Sequence, residues 1–235
     1  MAQLTYKQFE KRFSKGFVRL MKRLDFQEIV SDNCYAVQKE KELDRRVIVT
    51  ITSVGGRLLG GAQLSVRLNK VEEWWEDYIR EMGLMNERGF YITYNITLQQ
   101  SWPGIEARND YNPDSRKMNL QPDVEGVEKF NVLFESVLKE KLLRLAKHYE
   151  DIRELDKLIN ADPVNQVIGI AVGKEWLLRR LIIGRMAGNP RLDAIFQRDL
   201  AELRQQEATG EAFYRNYPAV LEKVYDKLKD VGPCV

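Results

Sequence analysis

A chain of 235 residues, 44% hydrophobic and 31% charged, is long enough for one large domain or two small ones, with a core that needs no covalent staples. Its formal charge of +2 lets global electrostatics select no partner class, although Met1 to Leu24 holds seven Lys or Arg against Glu10 alone. Cys34 and Cys234, one near each end, exclude a disulfide framework and fit a reducing compartment.

The first predicted element is a helix. Thr5 and Gln8 have the spacing of a capping box, with Leu4 and Phe9 in the staple positions on either side. Phe9, Phe13, Phe17, Leu20 and Leu24 recur at three- and four-residue steps and form one apolar face. Lys7, Lys11, Lys15 and Lys22 lie away from that face, flanked by Arg12, Arg19 and Arg23, so a basic surface is expected to point outward. This polar opening has no apolar export segment, and a cytoplasmic location is expected.

Strands follow. Phe26 to Val30 and Cys34 to Val37 flank an Asp32-Asn33 turn, and Val47 to Thr52 is β-branched throughout. Gly55-Gly56 and Gly60-Gly61 mark turns or a bulge. Ala62, Leu64, Val66 and Leu68 alternate with polar residues, as a half-buried strand does. Val71 to Met82 reads as a short helix, and Phe90 to Gln99 is the clearest alternating strand in the chain.

From Ser101 to Asp123 no periodicity appears, and Pro103, Pro113 and Pro122 punctuate the stretch. Helical spacing then runs to the end. Val127 to Ile159 traces one long amphipathic face. Asp162-Pro163, Asn189-Pro190 and Pro218 open three further helices. Val164 to Ala187 is the most apolar segment, but Lys174, Glu175, Arg179 and Arg180 interrupt it, so it predicts a core helix and no membrane span. The expected fold is α+β. Residues 1–105 form a helix on an antiparallel meander, 106–124 a proline-punctuated loop, and 125–235 a helical region.

Motifs of known chemistry are incomplete. Gly169 and Gly173-Lys174 resemble a phosphate loop, but only three residues separate the glycines, Glu175 stands where Ser or Thr is needed, and the segment reads as a helix start. Asp110, Asn112 and Asp114 copy the first positions of a calcium loop, yet Ser115 and Gln121 replace its glycine and bidentate glutamate. His148 is the sole histidine, which removes histidine-based metal sites and Ser-His triads. Glu72, Glu73, Glu76 and Asp77 read as a solvated helix face, and Cys34 as a packed strand residue. No catalytic residue, metal or cofactor is expected.

Two surfaces remain as candidates for binding. One is the loop, with Trp102 and Tyr111 as apolar anchors, Asp110 and Asp114 for charge, and Arg108, Arg116 and Lys117 for counter-charge. The other is the basic face of helix one: Lys7, Lys11, Lys15, Arg19 and Lys22. A basic amphipathic helix running into Leu24-Asp25-Phe26, then a short meander and helices, resembles small bacterial α+β proteins of the immunity type, which neutralise a toxin by covering it. The resemblance implies a protein partner and transfers no functional residue. A non-catalytic protein-binding module is therefore the expected function. A nucleic-acid-associated accessory protein acting through helix one is the alternative, disfavoured because the helix-one aromatics fall on the buried side.

Overall fold

The protein is described by a computed structural model over residues 3–32, 34–74, 92–97, 108–112, 116–161, 169–170, 176–210 and 215–233. It is α+β, as its periodicity predicts. Contacts gather the chain into two units that interleave along the sequence. The first comprises Met1–Val66, Asn95–Lys147 and Val167–Gly169; the second comprises Arg67–Tyr94, His148–Gln166 and Ile170–Val235.

In the first unit, helix α1 (Tyr6–Arg23) starts at the predicted capping box, with both reciprocal hydrogen bonds between Thr5 and Gln8 formed. It ends in a Schellman motif. Asp25 adopts a left-handed conformation, its N–H donates to the Lys22 carbonyl, and the Phe26 N–H donates to that of Met21. The helix then feeds strands β1 (Glu28–Val30), β2 (Tyr35–Lys39), β3 (Leu43–Val54) and β4 (Arg57–Leu68). β1 pairs antiparallel with β2, and β2 with β3. Between β3 and β4, Gly55 and Gly56 both have positive φ, as a tight hairpin turn requires.

Several expectations need correction. The sheet extends past the first hundred residues: the aperiodic stretch contains β6 (Tyr111–Asn112) and β7 (Lys117–Leu120), a hairpin whose second strand pairs antiparallel with β4. Strand β5 (Tyr94–Thr97) lies beside β4, and β8 (Gly169–Ile170) beside β5. A strand thus stands at Gly169, where a helix start is expected. The incomplete spacing around Gly173 and Lys174 is untouched by that change, and residues 171–175 lie outside those described. Strands this short leave no readable alternation, which explains the misreading.

β4 is not half-buried. Ser65 and Arg67 are covered as well as Leu64, Val66 and Leu68, so both faces of the strand are buried there. Gln63 Nε2 donates to Ser65 Oγ and Asn95 Oδ1, and Arg67 Nε to Asn69 Oδ1. Gly60 lies within β4 and not at a turn. A Cβ there would come within 2.6 Å of the Phe130 ring, so glycine lets that ring rest on the strand backbone. Cys34 lies in the turn before β2, at positive φ, and not in a strand.

The long helical face after residue 124 is also divided. Asp123 caps α2 (Val124–Val137), a π-turn over Leu138–Leu142 follows, and α3 (Leu143–Tyr149) ends before Asp151 caps α4 (Ile152–Ile159). In the second unit, α5 (Trp176–Ala187) packs against α4, α6 (Leu192–Ala208) and α7 (Tyr217–Leu228). It is covered nearly all round, and Gly188 at positive φ closes it as expected. Asp162-Pro163 lies outside the described residues.

Phe9, Phe13, Leu20, Tyr94 and Ile96 are buried as expected, whereas Ile92 is only half-buried. Phe13 is fully covered and meets Phe17, Phe130 and Phe134 with ring centroids 4.9 to 6.4 Å apart. Truncating it removes the middle of that cluster. Phe13→Ala is expected to destabilise the protein by about 3–5 kcal/mol in urea unfolding, and an unchanged midpoint would show that the cluster does not hold α1.

Candidate interaction surface

Within the first unit, α1 and α2 run parallel. Their N-terminal ends are tied by the Leu4 N–H donating to the Pro122 carbonyl, and their C-terminal ends by Arg23 Nη2 and Glu135 Oε2 at 2.9 Å. At mid-length Gly16 faces Asn131, whose amide would lie 2.2 Å from any Cβ at that position. Asn131 itself donates back to the Val127 carbonyl of its own helix. Close approach in the middle leaves a groove along the outer side of the pair, made of two adjoining clefts of about 670 and 470 Å³ that share Arg19, Glu128 and Asn131.

The groove's walls differ. α1 contributes Lys11, Arg12, Lys15, Arg19, Lys22 and Arg23, and α2 contributes Val124, Glu128, Val132 and Glu135. All six cations are exposed, as is Lys7 one turn before them. Among the described residues, no carboxylate lies within ion-pair distance of Lys7, Lys11, Arg12, Lys15, Arg19 or Lys22. Glu135 is already neutralised: Lys139 and Arg23 hold its carboxyl below the usual range. The aromatic rings of α1 face the other way, with Phe9, Phe13 and Phe17 fully buried. Val124 is 41% and Val132 71% exposed, and both stand out as large apolar residues left open to solvent.

The described loop candidates do not present their aromatic residue to solvent. Tyr111 is 5% exposed and paired in β6 opposite Met118, so it is a core residue and not a surface anchor. Its ring gains more from the sheet interior than a polar stretch of sequence reveals. Arg108 grips Asp110 through two hydrogen bonds of 2.8 and 2.7 Å, which holds the Asp110 carboxyl below its ordinary range and occupies a would-be calcium ligand. Lys117 Nζ donates to Thr52 Oγ1 across the sheet, and Arg116 sits exposed at positive φ in the β6–β7 connection. Trp102 and Asp114 lie outside the described residues.

Two charge clusters in the second unit could not be seen in the sequence. Glu72, expected on a solvated face, is fully buried. Arg179 grips it in a fork, Nε to Oε1 and Nη2 to Oε2 both at 2.9 Å, and Thr93 Oγ1 donates to Oε1 at 2.7 Å. The adjacent Arg180 meets Asn160 Oδ1 at 2.9 Å and Asp199 at 3.3 Å, and lies over the Trp176 ring. Burial pushes the Asp199 carboxyl up and the Arg180 guanidinium down. These groups are 0–4% exposed, so they pair with one another and present nothing to a substrate. The only hint in the sequence is a pair of arginines inside its most apolar segment.

Cys34 is buried, and that burial, with Glu10 and Asp32 nearby, pushes its thiol up to about 12. His148 is 53% exposed at its side chain and stands 3.8 Å from Glu154. Among the described residues no cluster of three or more metal-ligating side chains occurs, and no helix is long and apolar enough to cross a membrane. The chain matches no protein-family model, no curated protein and no solved structure.

Removing one partner of the buried fork leaves an uncompensated charge. Glu72→Ala is expected to cost about 3–5 kcal/mol of stability in urea, far more than Glu154→Ala at the surface; equal effects would contradict the buried pairing. For Cys34, a Cys234→Ser variant should react with an aromatic disulfide reagent at pH 8 only after unfolding. The raised pKa has a defined sign. Stabilisation is full below the ordinary thiol range of about 8.5 and is lost as pH rises toward 12, because the unfolded thiol ionises first. Rapid labelling of the native protein would refute this environment.

Proposed function

We propose that this chain is a non-catalytic protein-binding module of the immunity or adaptor kind, whose partner docks on the α1–α2 groove. A cytoplasmic location accompanies that reading. One observation carries it: a row of exposed cations, without a carboxylate partner among the described residues, beside valines left open to water.

Lys7, Lys11, Lys15 and Arg19 follow one another at four-residue steps along α1. Like charges at that spacing repel, each pair destabilising an isolated helix by roughly 0.2–0.5 kcal/mol. Folding gains nothing from the row, since α1 is held by its phenylalanines on the opposite side. An acidic partner removes the repulsion and covers the valines together. The nucleic-acid alternative draws on the same cations, but a phosphate backbone leaves Val124 and Val132 uncovered, and the α1 phenylalanines are buried and cannot stack on a base.

The test compares immobilised wild-type protein with a Lys11→Glu/Lys15→Glu/Arg19→Glu variant in nuclease-treated lysate of the native host. The wild type should retain a defined protein that the variant binds at least tenfold more weakly, a loss of about 1.4 kcal/mol or more, with an unchanged circular dichroism spectrum. Equal retention by both proteins contradicts the proposal. Retention abolished by nuclease, with affinity falling steeply with salt, favours the nucleic-acid reading.

A further inference from the structure

The groove also carries information about the shape of its occupant. Between Gln8 and Arg23 it follows α1 for 15 residue steps, about 22 Å at the helical rise, or four turns. Its cationic wall repeats once per turn, at Lys11, Lys15, Arg19 and Lys22. The opposite wall repeats at the same pitch, with Glu128, Val132 and Glu135 at four- and three-residue steps. Two parallel helices thus offer a trough with a cationic side on α1 and a mixed side on α2, where Val124 and Val132 alternate with Glu128 and Glu135.

We infer that the occupant is an acidic amphipathic α-helix of about four turns, laid along the groove. Its Asp or Glu residues, spaced four and three apart, meet the α1 cations one per turn. Its apolar stripe covers Val124 and Val132, which lie two turns apart, about 12 Å. Charge complementarity selects this occupant: the four α1 cations in register are exposed and without a carboxylate partner among the described residues. An extended strand repeats its side chains every two residues, about 6.8 Å, and drifts out of register with an α1 spacing near 6 Å within a few contacts. A second helix keeps step over the whole length. This inference rests on the proposed docking surface and specifies what fills it.

Fluorescence anisotropy with synthetic probes at physiological salt tests it. The first probe is a labelled 16-residue peptide with Glu at helical four- and three-residue spacing and a Leu stripe on the adjoining face. A second peptide has the same composition, scrambled so that the stripe is lost. The third probe is a 16-nucleotide oligothymidylate. The stripe-bearing peptide should bind at least tenfold more tightly than the scrambled peptide and than the oligothymidylate. It should lose at least tenfold with Lys15→Glu/Arg19→Glu and, separately, with Val132→Asp. Both variants change exposed side chains, and circular dichroism verifies that they fold. Equal binding of the two peptides, tighter binding of the oligothymidylate, or indifference to Val132→Asp overturns the inference. If it fails while host-protein retention still depends on the α1 cations, the docking surface stands and only the helical occupant is refuted. If both fail, the surface itself is refuted.

Discussion

Four phenylalanines between α1 and α2 hold the first unit in the form on which its surface depends. Phe13 and Phe17 from one helix meet Phe130 and Phe134 from the other, with centroids between 4.9 and 5.9 Å. Rings of this size bury large areas, and their tilted and edge contacts add to the area term. The cluster is sited by Gly60, which lets Phe130 descend onto β4, and by Gly16, which lets Asn131 enter between the helices. With α2 fixed in rotation, its valines and glutamates are left along the rim of the groove.

The same packing explains why α1 tolerates its charge. A helix with like-charged residues turn after turn is a poor helix in isolation, and α1 compensates with strong ends. The capping box satisfies donors at its start, and the Schellman turn at Asp25 and Phe26 satisfies acceptors at its finish. Lys22 and Arg23 in the last turn also complement the helix dipole. The residues Leu24-Asp25-Phe26 thus have a local structural role: they end a helix and turn it into a strand. Such a motif can recur wherever a helix must be stopped in this way, and the proposed binding role rests on the exposed cations instead.

The second unit solves a different problem. α5 is covered on nearly every side yet carries Arg179 and Arg180, whose charges cannot reach water. Each is met by a buried carboxylate from a distant part of the chain, Glu72 for the first and Asp199 for the second. Buried ion pairs add little net stability, because desolvation offsets much of their attraction. What they impose is geometry: with either partner displaced, a charge is stranded in the interior. The forked contact of Arg179 with Glu72 and Thr93 therefore restricts how α5 can sit within its unit.

Sequence alone determined what depends on near neighbours. The capping box, the buried phenylalanine face of α1, its outward cations, the Gly55-Gly56 turn, the Gly188 stop and the alternation at Tyr94 to Thr97 all follow from spacing within a few residues. The fold class follows from the change of period along the chain. Only the tertiary structure decided the features that depend on distant partners. Tyr111 reads as a loop anchor until β7 pairs with β4 and draws it into the sheet. Glu72 reads as solvated until Arg179, more than a hundred residues away, closes over it. The α1–α2 groove exists because two helices separated by a whole sheet come to lie parallel, so its wall of Val124, Glu128 and Val132 could not be matched to the α1 cations beforehand. Local periodicity states which face of an element is apolar, while the neighbour that face meets is set by long-range packing.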